Sequence, residues 1–276
     1  MTSMDDSGGG NRVGWAFGAW LFVIVSGAWL TSGREAATTA GYGTPVFYAH
    51  LVLGAAATVV GLSVAGLWLM KIEASGVRRV AAGIGVLVIV CAALGWVASS
   101  EPRPSIAALH AWVAILTLAA VLFGRQSLSS HTTLADEAIV RTSDAARLRL
   151  LASASPFLMA LQVAFGASYR HQLLSIMPHM AGAGIASVLM LVVGTLLLQK
   201  HPEHRALRVA ASLAIAVVLV QVALGVGAFV MQLLDFTHSR VWIPLTVLHV
   251  TVGALALAVS VNLAWQVRRY VRPLTS

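Results

Sequence analysis

The sequence predicts an all-α integral membrane protein with eight transmembrane helices, arranged as two pseudo-symmetric four-helix bundles. Three observations lead there. Of the 276 residues, 58% are hydrophobic and only 10% charged, whereas a soluble domain carries roughly a quarter charged residues. The apolar residues gather in eight stretches, at roughly 13–32, 46–70, 80–99, 106–124, 150–168, 176–199, 209–232 and 243–267, each close to the ~20 residues that cross a hydrocarbon core. The stretches are continuous and rich in Ala, Leu, Val and Gly, which argues for helices rather than alternating barrel strands.

The opening residues MTSMDDSGGGNR are polar, acidic and glycine-rich. They lack the basic start of a signal peptide and the Arg/Ser pattern of a transit peptide, so the first span is expected to be a retained anchor. Between the fourth and fifth spans lies the longest non-membrane stretch, 125–149, with charge of both signs and helix-favouring residues. It reads as a cytoplasmic linker able to carry an amphipathic helix. It divides the chain into an N-terminal four-helix half (1–124) and a C-terminal four-helix half (150–276).

The net charge of +8 could point to nucleic acid, but its distribution excludes that. Fourteen of the eighteen Lys and Arg residues fall on one side of the eight-span arrangement: Arg12, Lys71, Arg78, Arg79, Arg125, Arg141, Arg147, Arg149, Lys200, Arg205, Arg208, Arg268, Arg269 and Arg272. The positive-inside rule then puts both termini in the cytoplasm. The remaining four, Arg34, Arg103, Arg170 and Arg240, fall one in each outer loop. The single cysteine, Cys91, lies in the middle of the third span. It can form no intrachain disulfide and reads as a packing residue.

A finer repeat underlies the two halves. Each odd-numbered span ends near the outer side in an apolar motif closing on glycine: VIVSG (23–27), CAALG (91–95), QVAFG (162–166) and QVALG (221–225). Each even-numbered span carries a histidine about one turn inside its start: His50, His110, His179 and His249. The glycine-to-histidine separations are 23, 15, 13 and 24 residues, so only the outer loops vary. Four residues beyond the histidines stand Gly54, Ala114, Ala183 and Gly253, on the same helix face. Small residues there either leave room for a flat macrocycle beneath an imidazole or serve helix packing.

An ionisable residue within a span is a functional-site hypothesis by default. A lone histidine could simply hydrogen-bond a neighbouring helix, but four in register point to a ligand set. Zinc and copper also accept imidazole, yet no carboxylate, cysteine or further histidine lies one turn away to complete a compact centre. Haem fits better, because two imidazoles can take its opposite axial positions while apolar walls hold the ring. The natural pairs are His50 with His110 and His179 with His249. Arg34, Arg103, Arg170 and Arg240 are then candidate partners of haem propionates, beside the alternative of ordinary loop arginines. Tyr42, Tyr48, Trp112, Tyr169 and Trp242 read as interfacial aromatic residues. His131, His201 and His204 read as solvated cytoplasmic residues, and His171 and His238 as exposed outer-loop residues.

The pattern resembles the haem A synthase family, whose members convert haem O to haem A during assembly of haem-copper terminal oxidases. The resemblance covers nearly the whole membrane region and is clearest in LQVAFGASYRH (161–171), QVALG (221–225) and PLTVLHVTVGALALA (244–258), with ALGWVASSEPRPSIAALHAWVA (93–114) similar to the third and fourth spans. It implies that His179 and His249 ligate a resident haem b, and that His50 and His110 flank haem O as substrate. The implied reaction oxidises a haem methyl group to a formyl group through hydroxylated intermediates. It implies a bacterial inner-membrane location, haem O or haem O synthase and oxidase assembly factors as partners, and an electron donor. The sequence departs from the family at one position: Val46 stands where a glutamate precedes the first histidine by four residues. Glu35, fifteen residues before His50, is the candidate carboxylate to act with His50 and His110, with water as the other substitute. The outer-loop cysteine pair of some members is also missing. A non-catalytic haem protein, carrying electrons or haem, is the alternative expectation.

Overall fold

Eight helices account for nearly all of the described chain. The computed structural model describes residues 6–36, 43–71, 75–101, 103–132, 138–237, 239 and 241–274, with side chains from 16–32, 45–70, 75–101, 103–127, 138–237, 239 and 241–274. The helices are α1 (Asp6–Ala36), α2 (Gly43–Lys71), α3 (Ser75–Ser100), α4 (Pro104–Thr132), α5 (Ala145–Arg170), α6 (Ile176–Lys200), α7 (Arg205–Leu233) and α8 (Trp242–Tyr270). Seven of them are long and apolar enough to cross a membrane, and α1 contributes the apolar stretch Ala16–Ser32. The chain is a multi-pass α-helical membrane protein, with the lipid bilayer as its surroundings.

The helix starts follow from local chemistry. Every even-numbered helix has a proline in its first turn: Pro45, Pro104, Pro178 and Pro244. There the missing N–H removes no intrahelical bond and the fixed φ favours helix entry. The odd helices of the second half share a different device at their ends. Leu173 N–H donates to Ser168 O at 2.8 Å and Phe236 N–H to Met231 O at 2.8 Å, with Gln172 and Asp235 at φ 61° and 58°. Both are left-handed Schellman caps closed without glycine, so α5 and α7 turn out of the bundle in the same way.

Each half closes on itself. Helices α1 to α4 pack in sequence with α4 returning to α1, and α5 to α8 pack in sequence with α8 returning to α5. The halves meet through α1 with α8, α4 with α8, and α4 with α5. Burial agrees, since 44% of the apolar window is enclosed in α4 and α8 against 11% in α7, which makes α4 and α8 the seam. Trp20, Ile84, Val88 and Leu118 fill the first half; Leu148, Met190, Leu197, Leu207, Leu257 and Leu263 fill the second. The outward faces carry Val52, Val86, Val188 and Leu219, all exposed, as a lipid-facing surface requires.

Polar ties cross the seam at several levels. Trp112 Nε1–H on α4 donates to Ala160 O on α5 at 2.9 Å, Gln126 Nε2 donates to Asn262 Oδ1 at 2.6 Å, and Ser32 and Thr246 share a hydroxyl bond of 2.8 Å. Phe123 and Trp265 add an edge-to-face contact, with centroids 5.3 Å apart.

The linker departs from the sequence expectation. Helix α4 continues to Thr132, and β1 (Val140–Arg141) then pairs in parallel with β2 (Val271–Arg272) in the C-terminal tail. Residues 138–144 therefore hold no amphipathic helix, because their main-chain groups find partners in the tail; residues 133–137 lie outside the described chain. Helix α5 begins at Ala145, earlier than the apolar stretch that announced it. Asp144 pairs with Lys200 across the start of α5, and that hydrogen-bonded ammonium holds the Asp144 carboxyl below its ordinary range. Two of the histidines read as solvated stand at helix ends: His201 follows α6, and His204 precedes α7 and accepts from Leu207 N–H at 3.3 Å. The His131 side chain lies outside the described residues.

Gly124 on α4 is fixed by close approach, since a Cβ there would stand 2.5 Å from Trp68 Cζ3 and 2.9 Å from Ile84 Cδ1. Gly124→Ala is expected to destabilise by ~1–3 kcal/mol through overpacking. Gly83→Ala, with nothing within 4 Å, is expected to be neutral or slightly stabilising. Thermal unfolding in detergent checks both, and equal midpoints for the two variants would show the packing around Gly124 to be loose.

Candidate functional site

The four recurrent histidines come together in two pairs. The His50 and His110 ring centroids are 6.1 Å apart with planes at 82°, and those of His179 and His249 are 6.1 Å apart at 89°. His50 on α2 thus meets His110 on α4 across the first half, and His179 on α6 meets His249 on α8 across the second.

The spacing has a chemical reading. A first-row metal bound at an imidazole nitrogen lies about 2 Å from it, and the nitrogen about 1.1 Å from the ring centre by covalent geometry. Two imidazoles on opposite sides of one metal therefore have centroids about 6.2 Å apart. Both pairs match this value, and near-perpendicular planes are compatible with two rings that share one axis. Among the described residues, no three of His, Cys, Asp and Glu converge. Each pair thus brings two imidazoles together, with no third ligating side chain beside them among the described residues. All four histidines are half-buried, so each ring keeps an open edge.

The glycine motifs explain how the rings are held. A Cβ on Gly27, Gly95, Gly166 or Gly225 would stand 3.0, 2.9, 3.0 and 3.0 Å from Cε1 of His50, His110, His179 and His249 respectively. Each imidazole thus lies flush against the glycine of the preceding odd helix. His110 also bonds the main-chain carbonyl of Cys91, four positions before Gly95, at 3.0 Å. In a helix that carbonyl accepts from the glycine's own N–H, so a side chain on the glycine would stand beside it and bar the ring. Glycine is needed here for close approach.

Orientation follows. His110 Nδ1 lies 3.0 Å from Cys91 O, and a carbonyl only accepts, so Nδ1 carries the proton and Nε2 is left as a free donor atom for a metal. His50 Nδ1 lies 2.9 Å from Ser26 Oγ, whose hydroxyl donates to Val23 O at 3.0 Å; the same tautomer results. Metal-bound histidines are held in this way, through the other ring nitrogen.

The second half adds glutamines. Gln162 Nε2 donates to His179 O at 2.8 Å and lies 2.9 Å from His179 Nδ1. Gln221 packs on Gly253, where a Cβ would come within 3.0 Å of Nε2. The Oε1 atoms of both glutamines and Nδ1 of His249 are buried without a hydrogen-bond partner among the described residues. With a metal on Nε2 of His179, Nδ1 bears the proton and the Gln162 amide must turn its oxygen toward it.

Several expected site residues lie elsewhere or act differently. The space beside Gly253 is taken by Gln221, so this glycine serves packing, while Gly54 has open space beside it. Arg170 reaches from α5 to α1, donating to Ala28 O at 2.7 Å and to the Ser32 hydroxyl; it joins the halves. Arg103 pairs with Glu101 at 2.8 Å, both largely exposed. Arg34 and Glu35 lie in the last turn of α1, with side chains outside the described residues, and Arg240 and His238 lie outside them altogether. Glu35 is eight residues beyond Gly27, about 12 Å further along the helix axis. Of the residues read as interfacial aromatics, Trp242 is buried, Trp112 ties the seam, and Tyr169 donates to Gln232 Oε1 at 2.6 Å. Tyr48 is exposed, and Tyr42 lies outside the described residues. Cys91 fills its span as expected, and its carbonyl also orients His110.

Sequence reasoning quoted the motifs that contain Ser26, Gln162 and Gln221 without assigning them this role. The repeated glutamine four residues before glycine was the available signal. No protein-family model matches this sequence, and no curated protein is significantly similar to it.

Alanine at Gly166 or Gly225 is expected to push the facing imidazole out of place. Any chromophore bound by that pair then loses at least about tenfold in affinity, as when a residue orienting a metal ligand is changed. Gly184→Ala, with nothing within 4 Å, is the matched control. Titration of the purified variants with haem, followed by absorbance, makes the comparison; equal affinities in all three would remove the glycines from the site.

Proposed function

We propose that this chain is a bis-histidine haem protein of the inner membrane that works as a haem A synthase, oxidising the methyl group of haem O to the formyl group of haem A. The observation that carries the haem reading is the duplicated pair of imidazoles, 6.1 Å apart in each half, with Nε2 left free by the bond to Nδ1 in His50 and His110. In this reading His179 and His249 hold a resident haem b, and His50 and His110 flank haem O as substrate. Haem b supplies one-electron transfer when bound. The chain's part would be to hold the four imidazoles against the glycines of the preceding helices and to keep the sites within apolar helices. Haem O or its synthase, an electron donor and oxidase assembly factors are the partners this activity requires. A bacterial cytoplasmic membrane is the proposed setting, with both termini inside and the histidines near the outer face, supported by the clustering of basic residues at the opposite helix ends.

A second reading has an observation in its favour. Val46 occupies the position one turn before His50, and Glu101 is engaged by Arg103. A protein with two equivalent histidine pairs and no carboxylate beside the first would be a non-catalytic haem protein, carrying electrons or haem.

Haem extraction from the purified protein, with mass identification, tests the reading common to both. Retention of haem b with a low-spin spectrum is expected, and absence of any haem would falsify it. Co-expression with a haem O source separates the two: haem A or its hydroxylated intermediate is expected from the enzyme, and bound haem without either product favours the second reading. His179→Ala and His249→Ala are expected to abolish the stable b-type signal, whereas His50→Ala and His110→Ala lower product formation more than haem b content. A C-terminal variant with an unchanged spectrum would reverse the assignment of the halves.

A further inference from the structure

At the basic end of the bundle, a cavity of about 220 Å³ opens between α4 and α8, lined by Leu122, Arg125, Gln126, Trp265, Gln266 and Arg269. A second, of about 400 Å³, lies between α7 and α8 and is lined by Arg205, Ala206, Val209, Ala210, Asn262 and Gln266. Gln266 belongs to both. The two cavities thus carry three guanidinium groups around one amide, and neither lining includes a carboxylate.

The polar floor is built from uncharged groups. Asn262 Oδ1 accepts from Gln126 Nε2 at 2.6 Å and from Gln266 Nε2 at 3.4 Å, and Gln126 Oε1 is buried without a hydrogen-bond partner among the described residues. Arg269 Cζ lies 5.3 Å from the Tyr270 ring centroid, which braces its guanidinium. Toward the membrane, Val209, Leu213 and Val220 are all exposed along α7 and give an apolar path that starts at the cavity.

We propose that these paired cavities bind the phosphodiester headgroup of an anionic phospholipid. Its phosphate is held by the guanidinium groups of Arg125, Arg269 and Arg205, and its acyl chains run along α7. Guanidinium suits phosphate through forked hydrogen bonds, and basic pockets between helices near a membrane surface favour anionic headgroups. Phosphatidylglycerol, an anionic headgroup carrying two acyl chains, meets both features together. Free phosphate shares the anionic chemistry but does not use the apolar path.

The test uses the full chain, reconstituted in bilayers of equal phosphatidylcholine and phosphatidylglycerol with matched acyl chains, then re-extracted for quantification of bound lipid. Phosphatidylglycerol is expected to be enriched at least about fivefold over phosphatidylcholine in the retained fraction. The Arg125→Ala/Arg269→Ala double variant is expected to lose that enrichment. Arg78→Ala/Arg79→Ala, which removes two basic residues outside both cavities, is expected to keep it. Enrichment lost equally in both double variants would mean diffuse charge attraction and overturn the site. Displacement of the lipid by millimolar inorganic phosphate would overturn the lipid as its occupant, and enrichment unchanged in Arg125→Ala/Arg269→Ala would overturn the location.

Discussion

A glycine on one helix admits an imidazole from the next. This contact occurs four times, at Gly27 with His50, Gly95 with His110, Gly166 with His179 and Gly225 with His249, and the first-closest distances to Cε1 agree within 0.1 Å. It sets the spacing between the helices of each hairpin and determines which ring nitrogen points away from the hairpin. Because the two hairpins of a half pack around one centre, it also brings the centroids of two rings to 6.1 Å. An imidazole inside apolar helices requires a partner for each ring nitrogen. The preceding helix supplies one to His50, His110 and His179, through the Ser26 hydroxyl, the Cys91 carbonyl and the Gln162 amide, while His249 Nδ1 has none among the described residues.

The two pairs share that scaffold and differ in what surrounds it. Around the first, the supporting groups are small: the Ser26 hydroxyl, and the Cys91 thiol 3.7 Å from His110 Nδ1. Around the second they are the amides of Gln162 and Gln221, larger groups with oxygen atoms still lacking partners. The two histidine pairs thus have equal ring geometry in unequal surroundings.

The legibility of this molecule in its sequence followed the physics of each feature. Long apolar stretches define helices in a membrane because every main-chain group must be satisfied within its own segment, so all eight helices were visible. The histidine pairs were visible because the spans repeat: even helices opened by Pro45, Pro104, Pro178 and Pro244 carry one histidine each near the start. The role of glycine was hidden. Of the small residues four beyond the histidines, Gly253 packs against Gln221 and Gly54 has open space beside it; the glycine that holds each ring lies on the preceding helix, and packing between helices cannot be inferred from spacing along one. Arg170 was hidden for the same reason. Its position in an outer loop motif suggested an anion partner, whereas its reach across the seam to Ala28 and Ser32 depends on how the halves dock.

That seam gives the two sites a fixed relation. Arg170 is the last residue of α5, and its guanidinium reaches the carbonyl next to Gly27, the glycine that holds His50. Thr246, bonded to Ser32, lies three residues before His249. Trp112, two residues after His110, donates to Ala160, two residues before Gln162. Each tie therefore anchors within a turn of a histidine or of the group that orients one. A guanidinium placed among spanning helices is costly unless carbonyls and hydroxyls satisfy it, so separating the halves would expose Arg170, Ser32 and Thr246 together. The docking of the halves is coupled to the placement of the rings, and a substitution at the seam should be felt at both pairs.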